Sequence, residues 1–184
     1  MIGILTGAAV SAALHITPTV VLVPRPDAVK TLLPGADAFF AREAHLSNGD
    51  AHRLHEAVDW SPEDGVLTFY IGKSGGQVTG ALVFVRVDTP HGPIEVAAAF
   101  TPAGNIGGVI VTKATVETKP WVLEALRAGL TERYRALKPG DTPQGATGLQ
   151  DRVGSLADYM AQQVDKGVAR ALAAYGTFYK TART

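Results

Sequence analysis

The chain has 184 residues, of which 46% are hydrophobic, with 17 basic and 17 acidic side chains. This length and composition suit one globular domain with a substantial core, and a net charge of zero argues against a nucleic-acid partner. Cysteine is absent, which excludes disulfides, thiol nucleophiles and zinc sites that need thiolate.

The N-terminal part of the chain differs from the rest because residues 2–23 carry no charge. The apolar runs 2–14 and 20–23 together approach the length of a membrane-spanning helix. We therefore predict that residues 1–24 form a membrane anchor or a cleaved signal segment, with a buried core segment as the third interpretation. The first two place the domain, residues 25–184, at the inner membrane facing the periplasm, or in the periplasm after cleavage.

Two short helices are predicted next. Prolines and a glycine interrupt residues 24–35, and the amphipathic stretch 36–44 then predicts a helix whose two phenylalanines face a core. The N-cap residue types clustered at 47–50 predict a second helix over residues 51–58.

The middle of the chain has the composition of β-strands. Four segments rich in β-branched and aromatic residues are separated by short turns that contain glycine, which predicts an antiparallel meander. These segments are residues 66–71, 78–87, 94–100 and 106–112. Three alanines in the third segment indicate that something bulky packs over it, either a helix or a ligand, and a helix is the simpler expectation.

The C-terminal third returns to helical periodicity. Pro120 suits the first turn of a helix that continues to Leu137, and a last helix is predicted over residues 149–175. The predicted fold class is α+β, an antiparallel β-meander sheet flanked by helices, with an N-terminal apolar membrane-anchor helix.

The segment between these two helices contains a candidate attachment residue, Thr147. It is predicted just before the long helix, where free backbone N–H groups favour a phosphate, and Gly145, Ala146 and Gly148 leave its hydroxyl sterically open. Threonine at such a position is also a common N-cap, and the local pattern alone favours the cap over a phosphoester.

Residues 141–148, Asp-Thr-Pro-Gln-Gly-Ala-Thr-Gly, resemble the attachment motif of the FMN-binding domain family. That family includes the G subunit of Rnf complexes and the C subunit of sodium-pumping NADH:quinone reductase. The resemblance continues upstream through residues 75–84, 93–96 and 100–109, and it covers the chain from about residue 64 to about residue 175.

The resemblance implies a covalent cofactor. In the family, a separate flavin transferase esterifies FMN through its phosphate to the last threonine of the motif. The corresponding residue is Thr147, and Asp141, Gly145, Ala146 and Gly148 are the motif residues around it. FMN is therefore the expected cofactor, bound as a phosphoester.

A second loop also resembles the family. Residues 116–121 are similar to a loop that lies close to the flavin, so Glu117 and Thr118 are candidates for contact with the ring or ribityl chain, with solvated loop residues as the alternative.

Two positions of the attachment motif depart from the family, since Gln144 stands for a serine or threonine and Gly148 for a hydroxyl residue.

Histidines offer a rival site. His52 and His55 are spaced to share one metal or haem, with His45 or His91 as a third ligand, and His15 lies inside the apolar segment. Histidines at this spacing are usually solvated, and an interfacial position explains His15 equally well. We therefore assign no metal ligands.

These observations predict an extracytoplasmic, membrane-associated flavoprotein that transfers electrons within a larger complex. Its expected partners are the other subunits of that complex, the flavin transferase and the membrane. No Ser-His-Asp or paired-carboxylate pattern indicates hydrolysis. The alternative is a flavin-free structural or assembly subunit of a membrane electron-transport or photosynthetic complex.

Overall fold

The computed structural model describes residues 17–62 and 64–181. Within these ranges, four helices and six strands form the predicted α+β fold. The strands are β1 (Thr19–Val21), β2 (Ala38–His45), β3 (Val66–Ser74), β4 (Gln77–Val87), β5 (Ile94–Phe100) and β6 (Ile106–Thr115). The helices are α1 (Arg25–Leu32), α2 (Asn48–Val58), α3 (Lys119–Arg127) and α4 (Ser155–Thr181), and a 3₁₀ turn covers Thr131–Tyr134.

The strands form one antiparallel sheet in the order β1-β6-β5-β4-β3-β2. The predicted four-strand meander is confirmed as β3 to β6, and β2 and β1 extend it at the two edges. Short Gly-containing turns join β3 to β4, β4 to β5 and β5 to β6, and the chain reverses within a few residues at each.

The helix predicted over residues 36–44 is wrong. These residues lie mainly in β2, which pairs with β3 from Ala38 opposite Lys73 to His45 opposite Val66. A short apolar stretch fits both the helical and the strand period, and here the pairing with β3 makes it a strand. Phe39 and Phe40 therefore point to opposite faces of the sheet and are 39% and 51% exposed, instead of facing a core.

Helix α4 packs across one face of the sheet, over β4 and β5. Its Gly167 allows a close approach, since a Cβ there would lie 2.7 Å from Cγ2 of Val96. Aromatic rings complete this core, with Phe100 stacked on Tyr175 at 3.9 Å between centroids and Phe69 on Phe178 at 4.3 Å.

Helix α1 covers part of the opposite face. Its Val29 packs with Leu33, Leu82, Ala97 and Ala99 in a smaller cluster. Every residue of β5 is consequently buried, and the expectation that a helix packs over its alanines is confirmed on both faces. Helix α1 was not predicted from the sequence, although Pro26 is compatible with a first helical turn.

The last two helices are shorter or later than predicted. Helix α3 ends at Arg127 instead of continuing to Leu137, and Gly129 lies just beyond it, a residue type common after helix ends. Helix α4 begins at Ser155, so Leu149 precedes it, although Leu149 is fully buried. Because Leu149 is buried without being helical, its apolar side chain fitted the helical spacing and placed the predicted start of the helix too early.

The predicted helix over residues 51–58 is confirmed as α2. Ser47 is its N-cap and accepts a hydrogen bond from the backbone N–H of Asp50 at 3.1 Å. The Asp50 carboxylate accepts in return from the N–H of Ser47 at 3.2 Å, which completes a capping box. These hydrogen bonds lower the pKa of Asp50.

The predicted anchor overlaps the first strand. Val20 and Val21 belong to β1 and pair with Ala114 and Lys113 of β6, so this part of the predicted anchor is not helical. Residues 2–14 lie outside the described residues, and an anchor there stays a prediction. None of the helices within 17–62 and 64–181 has the length and apolar character needed to cross a bilayer.

A buried carboxylate ties α1 to the sheet. Glu95 on β5 accepts two hydrogen bonds from Arg25, from Nε at 3.1 Å and from Nη2 at 2.5 Å. Thr112 Oγ1 and Lys113 Nζ donate to the same carboxylate at 2.8 Å and 3.1 Å. Burial raises the pKa of Glu95, but the donors outweigh it and the net pKa is lowered.

The Gly167 contact predicts a packing defect in Gly167→Leu. The added side chain must displace Val96, so we expect the free energy of unfolding to fall by about 1–3 kcal/mol in urea denaturation. Gly49→Ala in α2 is the control, because a Cβ there meets only ordinary contacts at 3.6 and 3.8 Å. Equal stability of the two variants would contradict the close approach.

The Glu95 cluster predicts a pH-dependent contribution to stability. A carboxyl whose pKa is lowered by folding stabilises the protein above its ordinary pKa, about 4.3, and loses that contribution as pH falls through the folded value. Glu95→Gln should therefore be less stable than the wild type near neutral pH, and the difference should shrink at acidic pH. Urea denaturation at several pH values measures it, and a pH-independent difference would argue against the charged pairing.

Candidate cofactor-attachment site

The predicted attachment residue, Thr147, lies in a series of turns between the 3₁₀ turn and α4. Its backbone N–H donates to the carbonyl of Gln144 at 3.1 Å, and Leu149 donates to Ala146 at 3.0 Å. Because α4 begins only at Ser155, Thr147 neither caps that helix nor adjoins its free N–H groups. The N-cap interpretation of Thr147 is therefore wrong. A phosphate on Thr147 stays a prediction, but the helix start gives it no support.

A carboxylate from α4 binds the backbone N–H groups of this turn. Asp165 accepts from the backbone N–H of Gly145 at 2.8 Å and from that of Ala146 at 3.1 Å. These two N–H groups are consequently occupied by the protein itself. A phosphate at Thr147 would have to find its partners elsewhere.

A guanidinium binds the backbone carbonyls of the same turn. Nη1 of Arg133 donates to the carbonyl of Gly145 at 2.9 Å and to that of Thr147 at 2.7 Å. This places a positive charge beside the backbone of Thr147. An anion on the Thr147 side chain would therefore be attracted to this guanidinium.

Gly145 is required by the ring beneath it. A Cβ at this position would lie 2.5 Å from Cε1 and Cζ of Tyr134, whose side chain is fully buried. The Tyr134 hydroxyl makes no hydrogen bond of ordinary geometry among the described residues. Burial, together with the negative charge of Asp165, raises the pKa of Tyr134, so this phenol stays neutral.

The hydroxyl of Thr147 is accessible. Gly145 and Ala146 are buried, whereas Thr147 and Gly148 are exposed, and no side-chain hydrogen bond of Thr147 occurs within the described part of the chain. Gly148 has a φ of +71° and nothing within 4 Å of a Cβ position. Glycine adopts this left-handed conformation without strain.

Asp141 has a local role. Its side chain accepts from the backbone N–H of Lys138 at 2.8 Å, and its own N–H donates to the Lys138 carbonyl at 2.9 Å. Residues 139–143 border a cleft of about 710 Å³ between α2 and α4. The aspartate of the motif thus shapes the turn that precedes the attachment segment.

Glu117 and Thr118 lie on the loop between β6 and α3. Thr118 is buried, and its hydroxyl lies 2.9 Å from that of Thr115 and accepts from the Thr115 N–H at 3.0 Å. Glu117 pairs with Nδ1 of His91 at 2.8 Å. In the described ranges, neither residue has a hydrogen bond or ion pair to residues 145–148.

Two aromatic rings surround the His91 partner of Glu117. The His91 ring meets Trp121 at 5.2 Å and Tyr159 at 5.9 Å between centroids, both edge-on. Trp121 is in α3 and Tyr159 is near the start of α4, so the loop of Glu117 sits against the ends of both helices. This surface was not identified from the sequence, because its members are distant along the chain.

The other histidines do not converge. His52 pairs with Glu56 at 3.2 Å and His55 with Asp59 at 3.7 Å, both along α2. Within the described ranges, no three His, Asp or Glu residues are placed to hold a metal ion. His45 lies on β2, and His15 lies outside the described residues.

The comparisons with known proteins give little. No protein-family model matches the chain. Over 83 residues, 45% of this chain, it is 32% identical to the bifunctional protein FolD of Paraburkholderia phytofirmans and to that of Paraburkholderia xenovorans. The matched part is 28% of each FolD protein, so the chain covers less than a third of these curated relatives. This similarity assigns no family and does not bear on flavin attachment.

The geometry at Gly145 predicts the effect of a single methyl group. Gly145→Ala pushes a Cβ into the rigid ring of Tyr134, so we expect a loss of about 1–3 kcal/mol in the free energy of unfolding. Gly148→Asn is the control, since asparagine tolerates a left-handed backbone and the space there is open. Urea denaturation of both variants is the measurement, and an unchanged Gly145→Ala would show that the turn is not seated on Tyr134.

Proposed function

We propose that this protein is an electron-transfer flavoprotein that carries FMN esterified to Thr147. The observation that carries the proposal is the accessible Thr147 hydroxyl. It lies on a turn whose N–H groups bind Asp165 and whose carbonyls bind Arg133. The resemblance of residues 141–148 to a flavin-attachment motif supports the same residue. A transferase needs such an exposed, sterically open acceptor.

The residues around Thr147 fit the phosphate of a flavin in part. A phosphodiester carries one negative charge, and Arg133 is the cation placed beside it. Guanidinium donors form strong, directional bonds to phosphate oxygens. The Asp165 carboxylate remains hydrogen-bonded to the turn behind Ala146, where it keeps the segment in place.

The bound FMN would supply one-electron or two-electron redox chemistry at its isoalloxazine ring. Thr147 acts as a tether and takes no part in turnover. Arg133 offsets the charge of the ester, and Tyr134, neutral and buried, supports the turn from beneath. Glu117 and Thr118 stay candidates for contact with the ring, with Glu117 the accessible one of the two.

The proposed cellular setting is a membrane with an adjoining periplasm. The uncharged residues 2–14 and the family resemblance favour a subunit of a membrane electron-transport complex, with the domain in the periplasm. A flavin transferase in the same compartment would be the maturation partner. The competing possibility is a flavin-free subunit with an assembly role.

Attachment is tested by mass spectrometry of the intact protein from a host that contains the flavin transferase. We expect a mass increment of one FMN less one water and a yellow colour that survives denaturation. Thr147→Ala should lose both, because it lacks the acceptor oxygen. Thr147→Ser is the matched control and should keep them.

Two outcomes would contradict the proposal. An unmodified, colourless wild-type chain from its native host would favour the assembly role. Flavin retained in Thr147→Ala would mean that the ester is formed at a different residue.

A further inference from the structure

Strand β2 lies at one edge of the sheet. It pairs on one side with β3 in an unbroken register of eight residues, and no other strand of the described residues pairs with it. It contains no proline, and most of its residues are exposed. Such an edge offers a row of unpaired backbone groups to another strand.

The two sides of β2 carry different residues. Phe39 lies opposite Gly72, whose Cβ position faces Leu33, so Phe39 is on the side of α1. Arg42 is on the other side, where its guanidinium lies 5.0 Å from the centre of the Phe178 ring of α4. By alternation, Ala41 and Glu43 share the side of Phe39, and Phe40 shares the side of Arg42.

We propose that β2 pairs antiparallel with β2 of a second copy of this chain, about a twofold axis at Ala41. This continues the sheet across a symmetric dimer, the commonest closed assembly. In this register Phe40 lies opposite Arg42 and Phe39 opposite Glu43, each twice. Ala38 then lies opposite Ala44.

Repulsion between like charges excludes the two registers adjacent to this one. Opposed residues must share a side of the sheet, so the axis has to pass through a residue. At Arg42 it would oppose two guanidinium groups, and at Phe40 it would oppose Asp37 to Glu43. At Ala41 the central pair is two small side chains, and no like charges meet.

The opposed side chains are complementary. Phe40 is 51% exposed, and Nζ of Lys73 in the same copy lies 5.0 Å from its ring centre. In the dimer, the guanidinium of the second copy's Arg42 would turn from Phe178 to this ring, a cation–π pair formed twice by symmetry. On the side of α1, Glu43 of the second copy comes opposite Phe39. Phe39 borders a cavity of about 410 Å³ whose rim includes Arg25 and Lys30. Arg25 is already paired with Glu95, so Lys30 is the cation that the Glu43 carboxylate would meet.

A cysteine at the axis tests the proposal directly, because the natural chain contains none. In an antiparallel pair, opposed Cα atoms are about 4.5–5.5 Å apart, which is within the range of a disulfide. Under mild oxidation, the full-length variant Ala41→Cys should form a reducible covalent dimer. Ala41 is exposed, so the substitution leaves the fold unstrained.

Two neighbouring alanines give matched controls. In Ala38→Cys the two sulfur-bearing residues would be about 20 Å apart, so its dimer yield should be at least about tenfold lower. The same applies to Ala44→Cys. A mixture of Ala38→Cys and Ala44→Cys should cross-link, because these two positions face each other.

Sedimentation of the wild-type chain should show a concentration-dependent dimer, weak because one strand pair buries little area. Phe40→Ala should raise the dimer dissociation constant by about tenfold, the effect of losing the cation–π pairs. A wild-type chain that stays monomeric at high concentration would overturn the proposal. Equal cross-linking of Ala41→Cys and Ala38→Cys, or assembly beyond a dimer, would overturn it as well.

Discussion

The close seat of α4 on the sheet is the constraint on which the rest of the molecule depends. Gly167 lets the helix approach Val96, and this fixes how close α4 lies to the sheet. On one side of the helix, Asp165 then reaches the turn before Thr147. Tyr159 meets the loop of Glu117 through His91. A helix held farther out would lose both contacts, so packing in the core determines the geometry of the attachment region.

The turn at Thr147 is held in place although it does not adjoin a helix start. Free amides at a helix terminus would have offered partial positive charge to a phosphate. The structure replaces them with a full charge, because Arg133 binds two carbonyls of the turn while Asp165 binds two of its N–H groups. The two opposite charges act on different backbone groups, and the Thr147 side chain remains outside both interactions.

The sequence predicted the parts of the fold whose pattern is local. Strands β3 to β6 follow from β-branched residues between Gly-containing turns, and α2 follows from its N-cap cluster. The stretch of β2 was misassigned because six of its eight residues are exposed, so its hydrophobic pattern has no clear period and the pairing with β3 decides the outcome. The site was predicted only at Thr147 and its neighbours. Arg133, Tyr134 and Asp165 could not be found, since their contacts with Gly145 join separate elements and depend on how α4 packs.

Strand β5 has a further consequence for how the molecule moves. All of its residues are buried, under α4 on one face and α1 on the other. Its amide protons should therefore exchange with solvent only when the sheet itself opens. The turn at Thr147 lies outside this strand, so the adduct proposed there would leave the slowest-exchanging amides of β5 unchanged.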